Sequence, residues 1–434
     1  MMDSGAYAQQ PGSARQLQIS VSDPKKEAEG IHSYVSYKVN TQTNLPEFQY
    51  GSFSVIRRYS DFVWLADQLG KDVPGSIVPP LPEKAVVGRF SSDFVESRRR
   101  LLEKFVSRVA AHEELSDSKY FKLFLQADDG GLAMAKAEQK ALVAAEKKSG
   151  LAGISSWFED SVNSINFTIQ QSQEMKEKSP ADEKIDEVVA YINNLEVQMG
   201  NVAKHTTGLM KRNRELASGL FEFGLAFTLL GQTEADALAA ALTKLGHTAD
   251  QLSLLVNDHV GKETARFEEP LYDYIRVLGA VKAALNARAK HKHALAVALQ
   301  DLDQKRALAA KLASQPGKED RAALAEHAVQ KAQRDASTAR DAFEHVSARV
   351  IREMERFKRE KAADMRQVVL DYTTVQIEYN KRIEAQWEAL LPELHAIPDS
   401  PDEYYAPAPP PPPPPADRDL GDLDEDESPD LVGV

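Results

Sequence analysis

The chain has 434 residues and no cysteine, so it has room for two or three domains with substantial cores but no disulfides, thiolate metal sites or cysteine nucleophiles. Its net charge is −13, yet eleven acids against Arg418 alone lie beyond Pro398, which leaves the rest near neutral and open to anionic partners through local basic patches. No run of about 18 apolar residues is present and the opening MMDSGAYAQQPG has no apolar signal core, so the expectation is a soluble, intracellular protein without a membrane span.

Residues 1–15 read as a disordered N-terminus, and residues 16–126 as a small α+β domain. LQISVSD, SYVSYKVN and FQYGSFSVI alternate in period two with β-branched and aromatic residues, which predicts three antiparallel strands. SDFVWLADQLG predicts a helix opening on Ser60 and closing at Gly70, and SSDFVESRRRLLEKFVSRVAAH predicts a second with Phe94, Leu101, Leu102, Phe105 and Val109 on one face. Between them, DVPGSIVPPLPEK places four prolines from Pro74 to Pro82, a stiff, extended loop expected to stand clear of the sheet.

Residues 127–150 are rich in Ala, Lys and Glu without an apolar face and read as a partly helical linker. In residues 151–170, Ile154, Trp157, Phe158, Val162 and Ile165 recur at helical spacing, with Glu159, Asp160 and Asn163 opposite. That is an amphipathic helix suited to insertion into one membrane leaflet, although its polar face lacks the usual cations.

Residues 181–395 carry helix periodicity almost throughout, broken near Gly231 and at Pro316-Gly317. Helices of about 50, 80 and 75 residues at ~1.5 Å per residue predict an elongated, coiled-coil-like dimer. Pro270, inside the second helix, is expected to kink it and curve the rod. Residues 396–434 hold seven consecutive prolines from Pro409 and then an acidic run, read as polyproline II followed by disorder.

The doublet Arg57-Arg58 followed by Tyr59 ends the third strand. A guanidinium fork fits phosphate oxygens and a neighbouring ring can lie against a sugar face. Arg58 and Tyr59, with Lys84 after the proline loop and Arg98 on the next helix, are therefore candidates for a phosphorylated headgroup site. Surface cations beside a half-buried tyrosine are the plain alternative. No phosphate-cradling glycine loop, HExxH, G-x-S-x-G or Glu-x-x-His pair is present, so no enzyme, cofactor or metal is expected. The basic helices lack interleaved aromatics, which argues against nucleic acid.

RRYSDF, VPPLPEK and FVESRRRLLEKFV, in that order and spacing, resemble the phox-homology (PX) domain. LGQTEADALAAALTKL, LYDYIRVLGAVKAALNAR, VIREMERFKREKAADMRQVV and WEALLPEL resemble the BAR domain of sorting nexins. The resemblance covers roughly 370 residues and is nearest to the sorting nexins that form the membrane-bending arm of retromer. It implies an α+β PX domain (a three-stranded antiparallel sheet plus helices) followed by an all-α BAR domain, a long three-helix curved dimeric coiled coil.

For phosphatidylinositol 3-phosphate it implies that Arg58 holds the 3-phosphate, Tyr59 stacks on the inositol, Lys84 meets the 1-phosphate and Arg98 the 4- and 5-hydroxyls, while Arg57 faces outward. Lys282, Arg288, Lys290, Lys292, Lys305 and Arg306 are candidates for the lipid-facing side of the rod, joined by Lys311, Lys318 and Arg321 toward its tip. The expectation is a peripheral protein on the cytosolic face of endosomes that senses or induces curvature. It would pair with itself or another sorting nexin and meet retromer cargo-selective subunits, with a polyproline reader or no partner at all for the tail. The alternative is a soluble coiled-coil scaffold whose PX-like domain binds protein instead of lipid.

Overall fold

A computed structural model describes residues 16–27, 33–84, 90–148 and 180–397. The proposed amphipathic helix, with Ile154, Trp157, Phe158, Val162 and Ile165, and the polyproline tail lie outside the described residues. The chain divides into two compact units, Met1–Glu215 with Val256–Tyr379, and Leu216–Leu255 with Asn380–Val434.

In the first unit, β1 (Leu17–Glu27), β2 (Tyr34–Thr43) and β3 (Ser52–Arg58) form an antiparallel sheet in sequence order. Alternation sends Ile19 and Val21 of β1 and Tyr37 and Val39 of β2 into the core. A bulge between Ser22 and Lys25 bends β1, with Asp23 at φ 50°. The free edge of β1 is covered by side chains of α2 (Ser92–Ala111): the Val21 N–H donates to Glu103 at 3.0 Å and Arg99 donates to the Val21 carbonyl at 2.6 Å.

Four helices close the core of this sheet. Phe62, Leu65 and Leu69 on α1 (Tyr59–Asp72) recur at helical spacing and meet Leu102, Phe105, Val106 and Val109 of α2. The short α3 (Glu113–Ser116) leads into α4 (Lys119–Gln126), which adds Phe121, Phe124 and Leu125. Each fully buried side chain of this kind contributes about 1.5–3 kcal/mol.

The stretch expected to be a linker is the helix α5 (Asp129–Lys148), and its first turns are docked: Leu132 is buried, Lys136 pairs with Asp61, and Asp129 lies 3.5 Å from Arg57. Arg57 does not face outward. It is 1% exposed, and its guanidinium donates to the carbonyls of Phe124, Ala127 and Ile56. The C-terminus of α4 leaves carbonyls without intrahelical partners, and a buried fork with five donors satisfies them.

The long helices are α6 (Pro180–Gly231), α7 (Asp236–Glu263), α8 (Glu269–Ala313) and α9 (Glu319–Glu388), with a short α10 (Leu391–His395). A π-helical turn, Thr264–Glu268, joins α7 to α8 where a kink was expected. Pro270 has no N–H for the preceding turn, and the wider turn just before it absorbs that lost bond. The apolar stripes of α6, α8 and α9 meet in a core containing Ile185, Ile192, Leu278, Val281, Val350 and Phe357. In the second unit, α6 and α7 approach so closely that a Cβ on Gly224 would lie 2.7 Å from the Gly246 carbonyl oxygen, and one on Gly246 would collide with Thr228 Oγ1.

Within the first unit the proline loop is a docking element. Gly75 sits at φ 88°, and a Cβ there would lie only 3.0 Å from the Val346 and Val350 methyls. Ile77 is buried among the residues of the long-helix core. Glu353 on α9 accepts from the Ile77 N–H at 2.8 Å, Arg356 at 2.7 Å and His112 Nε2 at 3.2 Å. Arg349 donates to Glu114 at 2.6 Å and to the Pro74 carbonyl at 2.7 Å. A second seam joins α2 to α8, with Arg100 at 3.7 Å from Glu269 and Lys104 and Arg108 at 2.6 and 3.1 Å from Asp273.

Candidate functional site

Arg58 occupies the last position of β3 and the N-cap of α1. Its backbone N–H donates to Asp61 Oδ2 at 2.8 Å, so the carboxylate three residues on fixes the strand-to-helix turn. The Arg58 side chain stays 55% exposed, with Nε 3.6 Å from Asp61 and its guanidinium carbon 5.7 Å from the Tyr34 ring centre. A cation oriented at its base but open at its tip is available to an incoming anion.

Tyr59 donates its hydroxyl to the Pro82 carbonyl at 2.6 Å, which ties α1 to the far end of the proline loop. Burial pushes its phenol up, although the Arg98 charge acts the other way. Arg98 lies between two rings, 4.4 Å from the Tyr59 centre and 4.3 Å from Phe94, and donates to the Glu83 carbonyl at 3.0 Å. Lys84 follows directly and is exposed. The loop carbonyls therefore gather Tyr59 and Arg98 beside Lys84, with Arg58 as the chain neighbour of Tyr59.

Successive residues on a helix point about 100° apart, and the three arginines of α2 have three destinations. Arg98 goes to the candidate site, Arg99 to Glu96, Glu103 and the edge of β1, and Arg100 to Glu269 on α8. Of the three, Arg98 is the one packed on Tyr59.

The basic candidates on α8 need correction. Arg288 and Lys292 do not face solvent: both pair with the buried Asp182, at 2.7 and 3.0 Å, and Arg288 also donates to Ser347. Lys282 is held by Glu196 at 2.6 Å and is mostly covered. A buried cation is retained only with a partner, so these three hold α6 to α8. Lys290 is half-buried, and that burial lowers its pKa. Lys305 and Arg306 lie nearer solvent, within helical reach of Asp301 and Asp303.

Asp61 and the docked half of the proline loop were not picked out from the sequence. The signal for Asp61 was present, an acid at the third helical position. The loop gave none, because its partners lie more than 200 residues away.

Among the described residues no helix is long and apolar enough to cross a membrane, and no cluster of potential metal ligands occurs. Large apolar side chains nonetheless stay exposed along the long helices, among them Val197, Leu209, Leu216 and Phe221 on α6 and Val369 and Ile377 on α9.

Residues 154–393 match the family described as Vps5 C terminal like, and residues 45–128 match the PX domain. The chain is 33% identical over 393 residues to sorting nexin 1 of Arabidopsis thaliana, covering 89% of this chain and 94% of that protein. It is 30% identical to sorting nexin-1 of Homo sapiens, covering 88% of this chain and 72% of the relative. In fold it resembles the cryo-EM structure of the SNX-BAR Mvp1 tetramer, with a TM-score of 0.62 at 17% identity over 86% of this chain and 99% of that one.

Proposed function

This chain belongs to the PX-BAR sorting nexins, non-enzymatic membrane-trafficking adaptors that dimerise, and we propose that it binds phosphatidylinositol 3-phosphate through Arg58, Tyr59, Lys84 and Arg98. The observation that carries this reading is the convergence of Tyr59, Arg98 and the Pro82–Lys84 turn, with an exposed Arg58 alongside. Arg58 takes the 3-phosphate with its fork, Tyr59 offers its ring to the inositol, and Lys84 and Arg98 complete the anion site. One such site binds weakly. Two on a dimer make the second engagement intramolecular, which raises avidity without new contacts.

The exposed apolar residues of α6 and α9 supply a surface for a second BAR chain, its own copy or another sorting nexin. The resulting role is a peripheral coat on endosomal membranes that senses or induces curvature in retromer-type sorting. Sedimentation with liposomes tests the core of this reading. The intact chain is expected to bind liposomes carrying phosphatidylinositol 3-phosphate over plain ones, and Arg58→Gln to lose that difference. Equal binding to both liposomes would remove the headgroup site, and no binding to either would favour a protein-binding scaffold.

A further inference from the structure

Resting on the headgroup reading, we infer that the proline loop is a strut that couples headgroup binding to the seating of the PX domain on α9: an occupied site holds the loop docked. The two ends of the loop serve different partners. At the far end, Tyr59 donates to the Pro82 carbonyl at 2.6 Å and Arg98 to the Glu83 carbonyl at 3.0 Å, with Lys84 next in the chain. At the near end, Arg349 donates to the Pro74 carbonyl at 2.7 Å and the Ile77 N–H donates to Glu353 at 2.8 Å, so both contacts are made to α9. Gly75, at φ 88°, brings the backbone of this end against Val346 and Val350.

The stretch between the ends, SIVPPLPE from Ser76 to Glu83, holds Pro79, Pro80 and Pro82 and no glycine. Each proline fixes its own φ and restricts the residue before it, so the segment is stiff. Its side chains divide between two cores: Ile77 enters that of the long helices, while Val78 and Leu81 pack on that of the PX sheet. A segment this short and restricted does not release Ile77 while keeping Pro82 and Glu83 in place. Opening at the near end therefore disturbs the carbonyls that hold Tyr59 and Arg98, and it moves Lys84. A headgroup held by Lys84 and Arg98 opposes that opening. With full coupling, ligand at about 100 times its Kd makes the open state about a hundredfold rarer. By reciprocity, a loop held on α9 favours the headgroup in the same measure.

The test is amide hydrogen exchange on the intact chain, with and without soluble dibutanoyl phosphatidylinositol 3-phosphate at about 100 times the Kd that calorimetry gives for each protein. The amides read are Ser76 and Ile77, whose N–H groups bond to the Val73 carbonyl and to Glu353. Wild type is compared with Pro80→Gly, which keeps every proposed headgroup residue but makes the strut pliable, and with Pro80→Ala as a milder second variant. The expected result is exchange slowed about tenfold or more at both amides in wild type, and less than about threefold in Pro80→Gly. Wild-type exchange within about threefold of the free protein, with the headgroup bound, overturns the strut and leaves the headgroup site standing. Equal slowing in wild type and both variants also overturns it, because the ligand is then stabilising the PX domain as a whole. No binding of the headgroup by wild type overturns the headgroup site and this inference together.

Discussion

Replacing Glu353 with alanine tests how firmly the PX domain is fixed to the long helices. The carboxylate is 6% exposed and one oxygen accepts from the Ile77 N–H, Arg356 and His112. His112 Nδ1 accepts from the Glu114 and Leu115 N–H groups, so Nε2 carries the proton given to Glu353. Burial alone would raise the Glu353 pKa, but hydrogen bonds from His112 and Ile77 with the Arg356 charge outweigh it and hold the pKa below the usual range.

Truncation leaves two buried donors unanswered, at about 1–3 kcal/mol each, and takes from Arg356 the nearer of its two carboxylates, the other being Glu360 at 3.6 Å, a combined loss of about 3–5 kcal/mol. At tenfold per 1.4 kcal/mol, the lower figure is about a hundredfold in local opening. Amide hydrogen exchange reads this directly, because Ser76 and Val78 hydrogen-bond within the loop and Leu115 bonds to His112, none of them through Glu353 itself. Their exchange is expected to accelerate about a hundredfold in Glu353→Ala and about tenfold in Glu353→Gln, which keeps an acceptor but no charge. Exchange within threefold of wild type at all three amides in Glu353→Ala would refute the argument.

Arg57→Met is expected to lower the thermal midpoint of the PX domain sharply, by about 3 kcal/mol of stability, since it strands the Phe124 and Ala127 carbonyls; Arg58→Gln is expected to leave the midpoint within a degree or two, and a scanning calorimeter distinguishes the two. Gly246→Ala meets backbone and Thr228 and is expected to destabilise by about 2 kcal/mol or more, whereas Gly219→Ala on the same helix pair meets nothing within 4 Å and is expected to stabilise by about 0.5–1 kcal/mol, as urea midpoints would report. Glu263, 1% exposed, has its pKa raised by burial, so its contribution to stability is present at acid pH and lost as pH rises through the raised value; Glu263→Gln is therefore expected to raise the melting point at pH 7 by a few degrees, and no rise would contradict the sign. Glu353 and Asp273 behave oppositely: both are lowered, in Asp273 because Arg108 and Lys104 outweigh burial, so their contribution holds above about pH 4, the unfolded carboxylate range, and exchange at Leu115 is expected to accelerate only below it.

The elements were legible where pattern and chemistry are local. The alternation in SYVSYKVN and the spacing of Leu102, Phe105 and Val109 named a strand and a helix face directly. Pro270 announced a disturbance, and a π-turn absorbs it. What remained hidden depends on partners distant in sequence. Nothing around Arg57 says that it binds carbonyls 67 and 70 residues on, or that Arg288 and Lys292 share Asp182. A cation in an acid-free stretch looks exposed until the helix across from it is known. The candidate headgroup residues could be named because their types and order carry the chemistry, but the wall facing Lys84 and Arg98 comes from a helix more than 170 residues downstream.

The three arginines of α2 have a consequence for how this chain tolerates change. By composition they look redundant, a patch of charge in which one loss could be made up by a neighbour. Each instead owns a separate direction around the helix, toward Tyr59, the sheet edge or the long helices. Adding or deleting one residue between Ser91 and Arg98 would leave the composition nearly intact while turning the whole trio by about 100°. All three connections would be misdirected in a single event. Along this stretch, spacing decides the contacts as much as chemistry does, and two chains with the same arginine count can differ completely in what those arginines hold.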